Sequence, residues 1–570
     1  MGVEVEPKFV YWEKVQRLRE ELFRRWICND YNLREFILSS ILIRNNKVLL
    51  IGFPGSGKST LVRLIVRGLS RNSGGNKIFG MVIGAPEKTL QKVLITTNIV
   101  RLLTSGEEEI IVRPIVQAKI KFINEINRFS KSVQDALLSL LEEGYLEYGG
   151  TTFRTPDYIC FADMNPFRGD MDRALKARFL GSCYIDLPTM SSSKKIIDAL
   201  LESEEKMGRY PDIVMTMPSI LSIEELRAIW NDVGKVAIPE DVKLFAIMII
   251  AMFRVCKYKR GMVGYMRLKC TECEYSNEPC SYIQEPPDER ANLALLLYAR
   301  ARAWLHRRKQ VDYGDVIWAA PYVLAHRIEI KPLVKSRVPN PWILIRQVLD
   351  EIMKTKWIDD GKIGIWAQSL MWACAALGIE ITGPLKEHIT HDIKNYSSFV
   401  ALKNLEQCAY GEFGRGDLVV QQLYEYTKEM LYERLRDIKS ALREECLALV
   451  NKQGVVLGEL EAFESKLRKY PKEIIEEIHG ILRQKMNEYK VSFNLEAPVD
   501  FQKIRELLLR YDVPMDIVDK LFDKTSAMKL EYKGQVIKLR RIGKNIIIMA
   551  QTEEIVDEIK ERLKPKLEVA

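Results

Sequence analysis

Apolar residues in this chain follow two rhythms, and the change between them divides it. In the first third they come as short runs, Val48–Ile51, Ile120–Ile123, Tyr158–Phe161 and Cys183–Leu187, each followed by polar or glycine-rich sequence. Compact runs of strand formers predict buried strands of a parallel sheet covered by helices. Beyond residue 418 the spacing changes to three and four. Leu431, Leu435, Ile438, Leu442 and Cys446 form one stripe, Val456 to Tyr470 carry a second after the turn Asn451-Lys452-Gln453-Gly454, and Ile474 to Met486 carry a third after Pro471. One stripe per helix predicts a helical bundle or coiled-coil arm over 418–490. Basic and acidic residues balance along this arm, which favours a protein contact over a nucleic-acid surface.

Between these regions, residues 333–417 read as a helical connector. Three prolines within Lys331–Trp342 predict a linker at its start. Its centre, Ile363–Ile379, is the most apolar stretch of the chain, but it is shorter than a bilayer span and carries Gln368 and Ser369, so a buried helix is expected. The tail, 491–570, reads as a small α/β module. It has a helix from Phe501, two or three strands around Lys533-Gly534 and Gly543-Lys544, and a closing helix.

At 570 residues the chain is too long for a single core. A hydrophobic content of 47% with 29% charged residues is ordinary for a folded soluble protein and excludes collagen-like or multi-spanning classes. The net charge of +9 permits a nucleic-acid partner without requiring one. Ten scattered cysteines do not make a secreted disulfide framework, and the first residues lack the apolar core of a signal peptide. A cytoplasmic protein with no membrane partner is expected.

The sharpest chemistry lies in VLLIGFPGSGKSTLVRL, residues 48–64. Gly52, Pro54, Gly55, Ser56, Gly57, Lys58, Ser59 and Thr60 follow a strand and open a helical pattern, the context that a phosphate-binding loop requires. Glycines let successive N–H groups turn toward phosphate oxygens, and the helix start adds positive potential. Lys58 is expected to reach the β- and γ-phosphates, and the Ser59 hydroxyl to bind Mg²⁺. Asn124 and Glu125 end the strand Ile120–Ile123, at the edge where parallel sheets bind ligands. There Glu125 reads as the group that polarises the attacking water. Asn165, just past Tyr158–Phe161, reads as a holder of the lytic water or γ-phosphate. Arg173 and Arg178 precede the fourth strand, and Arg178 is a candidate for a neighbouring subunit's γ-phosphate.

The run FINEINRFSKSVQDALLSLLEE, residues 122–143, resembles the MoxR family of AAA+ ATPases, and the four motifs come in that family's order. GYLEYGGTTFRTPDYI is similar to its β-hairpin insertion, and TSGEEEIIVRPIVQA to its helix-2 insertion. PPDERANLALLLYARARAWL and VLAHRI are similar to its lid, so the likeness covers about residues 30–330. The resemblance implies an AAA+ P-loop parallel-sheet core (1–189), a helical lid (190–332) with a Cys-rich insertion at 253–283, and the connector, arm and α/β module beyond. It implies ATP and Mg²⁺ as cofactors, and ATP bound between subunits of a ring, commonly a hexamer. Arg290 would be the lid arginine on its own subunit's γ-phosphate. The implied work is chaperone-like remodelling of a client protein, often with a separate von Willebrand factor A protein. One departure stands out: Asn124 occupies the place of the family's metal-supporting aspartate, and hard cations favour the lost charge.

Cys256, Cys270, Cys273 and Cys280 lie together in the lid and could complete a tetrahedral Zn²⁺ site; a disulfide pair or buried free thiols are the competing readings. The same segment is basic, with Tyr258 and Tyr265 interleaved. That feature supports the alternative of a nucleic-acid motor related to MCM or McrB-like proteins. A third reading, suggested by Asn124, is a slowly hydrolysing nucleotide-gated scaffold.

Overall fold

The computed structural model describes the chain apart from residues 1–5, 71–77, 107–108, 208–212, 255–274, 276–278, 389–397, 412–416, 495–526, 558–570 and a few isolated positions. It forms two compact units, Met1–Thr427 and Lys428–Ala570.

Nine strands build the first part of unit one: β1 (Asn46–Ile51), β2 (Phe79–Ile83), β3 (Ile95–Thr97), β4 (Ile110–Val112), β5 (Ile120–Asn124), β6 (Tyr145–Tyr148), β7 (Thr151–Arg154), β8 (Ile159–Met164) and β9 (Gly181–Tyr184). Five of them make one sheet in the order β2-β5-β8-β1-β9, with every pairing parallel. Each of the four short apolar runs overlaps a strand of this sheet, although the fourth strand is Gly181–Tyr184 rather than Cys183–Leu187. Their burial on both faces explains the absence of polar alternation: every residue of β8 is buried. The pair β3–β4 and the pair β6–β7 are antiparallel hairpins inserted into this core. The second is the hairpin expected from GYLEYGGTTFRT; the first, with a short helix, Ile99–Ser105, between its strands, begins before the expected helix-2 insertion and overlaps it at β4.

The lid packs helices Ile223–Val233, Glu240–Phe253, Arg290–Leu305 and Tyr313–Leu324. Two capping boxes, Ser222 with Glu225 and Asp312 with Asp315, satisfy the first amides of two of them. Tyr298 anchors the lid to the sheet: its hydroxyl meets Ser40 at 3.1 Å and Asn46 at 3.0 Å. A Cβ at Gly181 would stand 2.5 Å from that hydroxyl, so β9 can approach only as glycine.

The stretch expected to be a linker is packed instead. Pro332 and Pro341 stand at the first position of helices Pro332–Arg337 and Pro341–Ile352, where a missing N–H costs nothing. Trp342 is buried and donates to the Ser182 carbonyl at 2.9 Å. The apolar segment at 363–379 is the buried helix Ile365–Leu377. No helix among the described residues is long and apolar enough to cross a membrane.

In unit two the three predicted stripes are helices Leu418–Val450 (whose first turns belong to unit one), Leu457–Leu467 and Lys472–Glu488. The tail holds a four-stranded antiparallel sheet, one strand richer than expected, because Lys490–Asn494 pairs with Asn545–Met549. The helix expected from Phe501 lies outside the described residues.

The end of the lid latches the turn that carries Arg178. His326 lies between the Ser182 hydroxyl and the Phe179 carbonyl, each at 2.8 Å. Arg327, with its side chain fully buried, donates to the carbonyls of Phe179, Leu180 and Val323 at 2.6, 3.1 and 2.6 Å. Burial holds the His326 imidazole well below its ordinary value, with the Arg327 charge acting in the same direction. Arg327→Ala should cost about 3 kcal/mol, because it orphans buried carbonyls and the facing Asp288, and a urea melt reads this directly. The unfolded chain binds a proton at His326 from about pH 6.5 downward, while the folded chain resists it until lower pH. Stability should therefore decline as pH falls below about 6.5, by up to about 1.4 kcal/mol per unit from this group. Melts of His326→Gln against the parent should show that component of the slope removed.

Candidate active site

Three strand ends build the site. β1 runs into the loop Gly52–Gly57 and the helix Lys58–Gly68. Gly55 and Gly57 take φ of +80° and +81°, which only glycine adopts without strain. Gly52 lies so close to the Ile185 carbonyl that a Cβ would stand 2.2 Å from it. Trp26 supports the loop from behind, donating to the Gly57 carbonyl at 3.2 Å. Lys58 folds back into the loop, with its ammonium on the carbonyls of Gly52 and Phe53 at 2.9 and 2.7 Å. Desolvation lowers its pKa, opposed by the carboxylates of Asp163 and Glu125.

β5 delivers Asn124 and then Glu125, whose φ of 53° is left-handed. A non-glycine residue there costs roughly 1–2 kcal/mol. The Glu125 amide donates to Asp163 Oδ1 at 2.5 Å, and a hydrogen bond to a charged acceptor returns about 1.5–3 kcal/mol. That is enough to hold the turn. Gly84 closes it from the far side: its amide donates to the Asn124 carbonyl at 2.7 Å, and a Cβ there would stand 2.0 Å from the Glu125 carbonyl. The Glu125 carboxylate pairs with Arg128 at 2.5 Å and, more distantly, with Arg168 at 3.6 Å. These groups are partly exposed, so each pair is worth at most about 1 kcal/mol and yields readily.

β8 delivers Asp163 and Asn165. Asn165 Oδ1 accepts from the Phe167 amide at 3.1 Å, leaving its amide nitrogen as the end that can meet a phosphate oxygen. Asn127 ties this turn to the previous one, donating to the carbonyls of Asn165 and Arg168 at 3.0 and 3.1 Å. Phe53 stacks on Phe167, ring centres 5.2 Å apart, joining the phosphate loop to the same turn.

These ends enclose a polar cavity of about 480 Å³ lined by residues 54–60, Asn124, Glu125 and Asp163–Asn165. A second, mostly apolar cavity of about 710 Å³ shares Gly55, Ser56, Gly57 and Thr60 with it. Trp26, Asp30, Tyr184, Trp342, Arg346 and Asp350 are among its walls. A polar chamber joined to an apolar one suits the triphosphate and base of a nucleotide. Oxygen donors face the polar chamber (Ser59, Asn124, Glu125 and Asp163), and this is the donor chemistry of Mg²⁺.

Lys58, Ser59, Asn124, Glu125 and Asn165 thus come together as expected. Arg178 and Arg290 do not line this cavity. Both pair with Glu142 at the end of helix Lys131–Glu143, Arg290 at 2.8 Å. Arg290 was expected on its own subunit's phosphate, and here it keeps company with Arg178. Its pair with Glu142 is half-exposed and weak, so a polyphosphate can displace it. Cys256, Cys270 and Cys273 lie outside the described residues, as does most of the basic segment. No group of three or more metal-binding side chains occurs among the described residues.

Reading by motif missed Asp163, Asn127, Gly84 and Trp26. Asp163 had a signal: an acid inside the otherwise apolar strand ICFADM. Burial pushes its carboxyl up to about 6, against the pull of the Glu125 amide and the Lys58 charge.

The sheet order, the glycine loop and the acid-bearing strand ends define an AAA+ ATPase module. Residues 47–179 match the AAA domain of the dynein-related subfamily, and residues 287–341 match an AAA lid domain. Within that class the module is similar to MoxR proteins, as the sequence resemblance implied. Chaperone MoxR1 of Mycobacterium tuberculosis is 26% identical over 353 residues, 60% of this chain and 82% of that one. Protein MoxR of Methylorubrum extorquens is 23% identical over 59% of this chain and 94% of its own length. The uncharacterized protein YeaC of Bacillus subtilis is 24% identical over 55% and 86%.

Lys58→Ala should weaken nucleotide binding by about 100-fold or more, the scale of removing one partner of a buried charged contact. Titration with a fluorescent ATP analogue measures it. Glu125→Gln should keep that affinity while turnover falls by at least about 100-fold.

Proposed function

We propose that this protein assembles as a ring, six subunits in the simplest case, and uses ATP hydrolysis to remodel a client protein. The observation that carries the reading is the joined pair of cavities with Lys58, Ser59, Glu125 and Asn165 on the polar one. The similarity to a protein named a chaperone supports the direction of the work. A separate von Willebrand factor A protein as partner, and the cytoplasm as compartment, belong to the same reading.

Each residue has a task. Lys58 leaves the loop carbonyls and neutralises the β- and γ-phosphates. Ser59 supplies a hydroxyl to Mg²⁺, which draws charge from the phosphate oxygens when bound. Glu125, released from Arg128, orients the water for in-line attack, and Asn165 holds the γ-phosphate or that water. Arg178 and Arg290 share one carboxylate, Glu142, outside their own cavity. We therefore assign both to the nucleotide of the next subunit, where they would spread the developing charge. Cys280, with the three cysteines outside the described residues, stays a proposed zinc site for folding the lid insertion.

Turnover and assembly mass measured together, with and without DNA, test the reading. ATP-dependent growth from monomer to ring with DNA-independent turnover is the expected result; steep DNA stimulation would favour the nucleic-acid motor. Arg178→Ala should lower turnover by on the order of 1,000-fold with binding retained. Mixing it with Glu125→Gln subunits should restore activity only at interfaces that keep both groups intact.

A further inference from the structure

The strand end that carries Asn124 offers an amide where phosphate-loop enzymes generally use an aspartate to support Mg²⁺. A neutral amide oxygen is a poor substitute for a hard, doubly charged ion. The neighbouring strand supplies a carboxylate. β5 and β8 run parallel with Ile123 opposite Ala162, so the next step along each strand brings Asn124 and Asp163 side by side. β8 lies between β5 and β1 in the sheet, which puts Asp163 nearer to the phosphate loop than β5 itself.

Asp163 is buried, lines the polar cavity with Lys58, Ser59, Asn124 and Glu125, and accepts the Glu125 amide on Oδ1. Among the described residues its Oδ2 accepts no hydrogen bond. Holding one amide does not require a charge, since a hydroxyl or a neutral amide would accept the same N–H. A carboxylate kept from water does require a cation. Lys58 is nearby, but its ammonium is already on loop carbonyls and is destined for phosphate.

We propose that Asp163 is the metal-supporting carboxylate of this site, the acid having moved from the end of β5 to the end of β8. This inference rests on the nucleotide reading above. Asp163 would act on the ion directly or through one of its waters, and its bond to the Glu125 amide would set the water-orienting carboxylate relative to the same ion.

Binding of Mn²⁺, followed by its electron paramagnetic resonance in the presence of a non-hydrolysable ATP analogue, reads the proposal without turnover. Asp163→Asn should weaken Mn²⁺ by on the order of 10–100-fold, while analogue affinity in EDTA stays at the parent value. Asp163→Thr, which keeps an acceptor for the Glu125 amide, should lose the ion equally. Asn124→Asp placed in the Asp163→Asn background should recover most of the Mn²⁺ affinity, because the charge returns to the same chamber. Parent-like Mn²⁺ binding in both single variants, or no recovery in the double variant, overturns the proposal. Failure of the parent chain to bind the analogue at all would instead sink the nucleotide reading.

Discussion

The hydrogen bond from the Glu125 amide to the Asp163 carboxylate joins the ends of two neighbouring parallel strands, and the polar chamber is organised around it. Parallel pairing makes the bond possible. Because β5, β8 and β1 all run in one direction, their last residues lie at one edge, and polar groups spaced far apart in the chain share one cavity. The left-handed turn at Glu125 survives because Asp163 holds its amide and because Gly84 leaves room behind it. Together these two supports set the backbone that carries the Glu125 carboxylate.

The lid contributes in a different way. His326 and Arg327 hold backbone carbonyls at 179–180, directly after Arg178, so a buried latch fixes the backbone next to this half-buried arginine. Arg178 and Arg290 rest on one partly exposed carboxylate, Glu142, and Glu125 rests on Arg128. The pairs of Arg290 and Arg128 are partly exposed and weak, that of Arg178 is more buried, and all lie beside buried supports. The backbone geometry is thus held firmly while the charged tips remain free to exchange partners when a polyphosphate arrives.

The helix Pro341–Ile352 extends this logic beyond the lid. Trp342 and Arg346 wall the apolar chamber, so the segment after the lid lines the space beside the phosphate loop. Proline content suggested a linker, and the segment is packed helix instead. A proline at the first helical position restricts the chain to the geometry the helix needs, so the same residue type that breaks helices starts this one.

Much was legible in the chain because it was local. The phosphate loop, the four strands, the β-hairpin insertion and the three arm helices follow from short-range sterics and from periodicity, which depend on near neighbours. Lys58, Ser59 and Glu125 could be named for the same reason: their places on the cavity follow from spacing within one strand and turn. Asp163 could not, since an acid in a buried strand acquires meaning only when β8 is found between β5 and β1. The pairing of Arg290 with Glu142 was not legible, because lid orientation depends on contacts more than a hundred residues apart, as with Tyr298 and Asn46. Local order was thus written in the chain itself, while the sharing of charge among distant strand ends required the folded sheet, because electrostatic partners are chosen by distance in space.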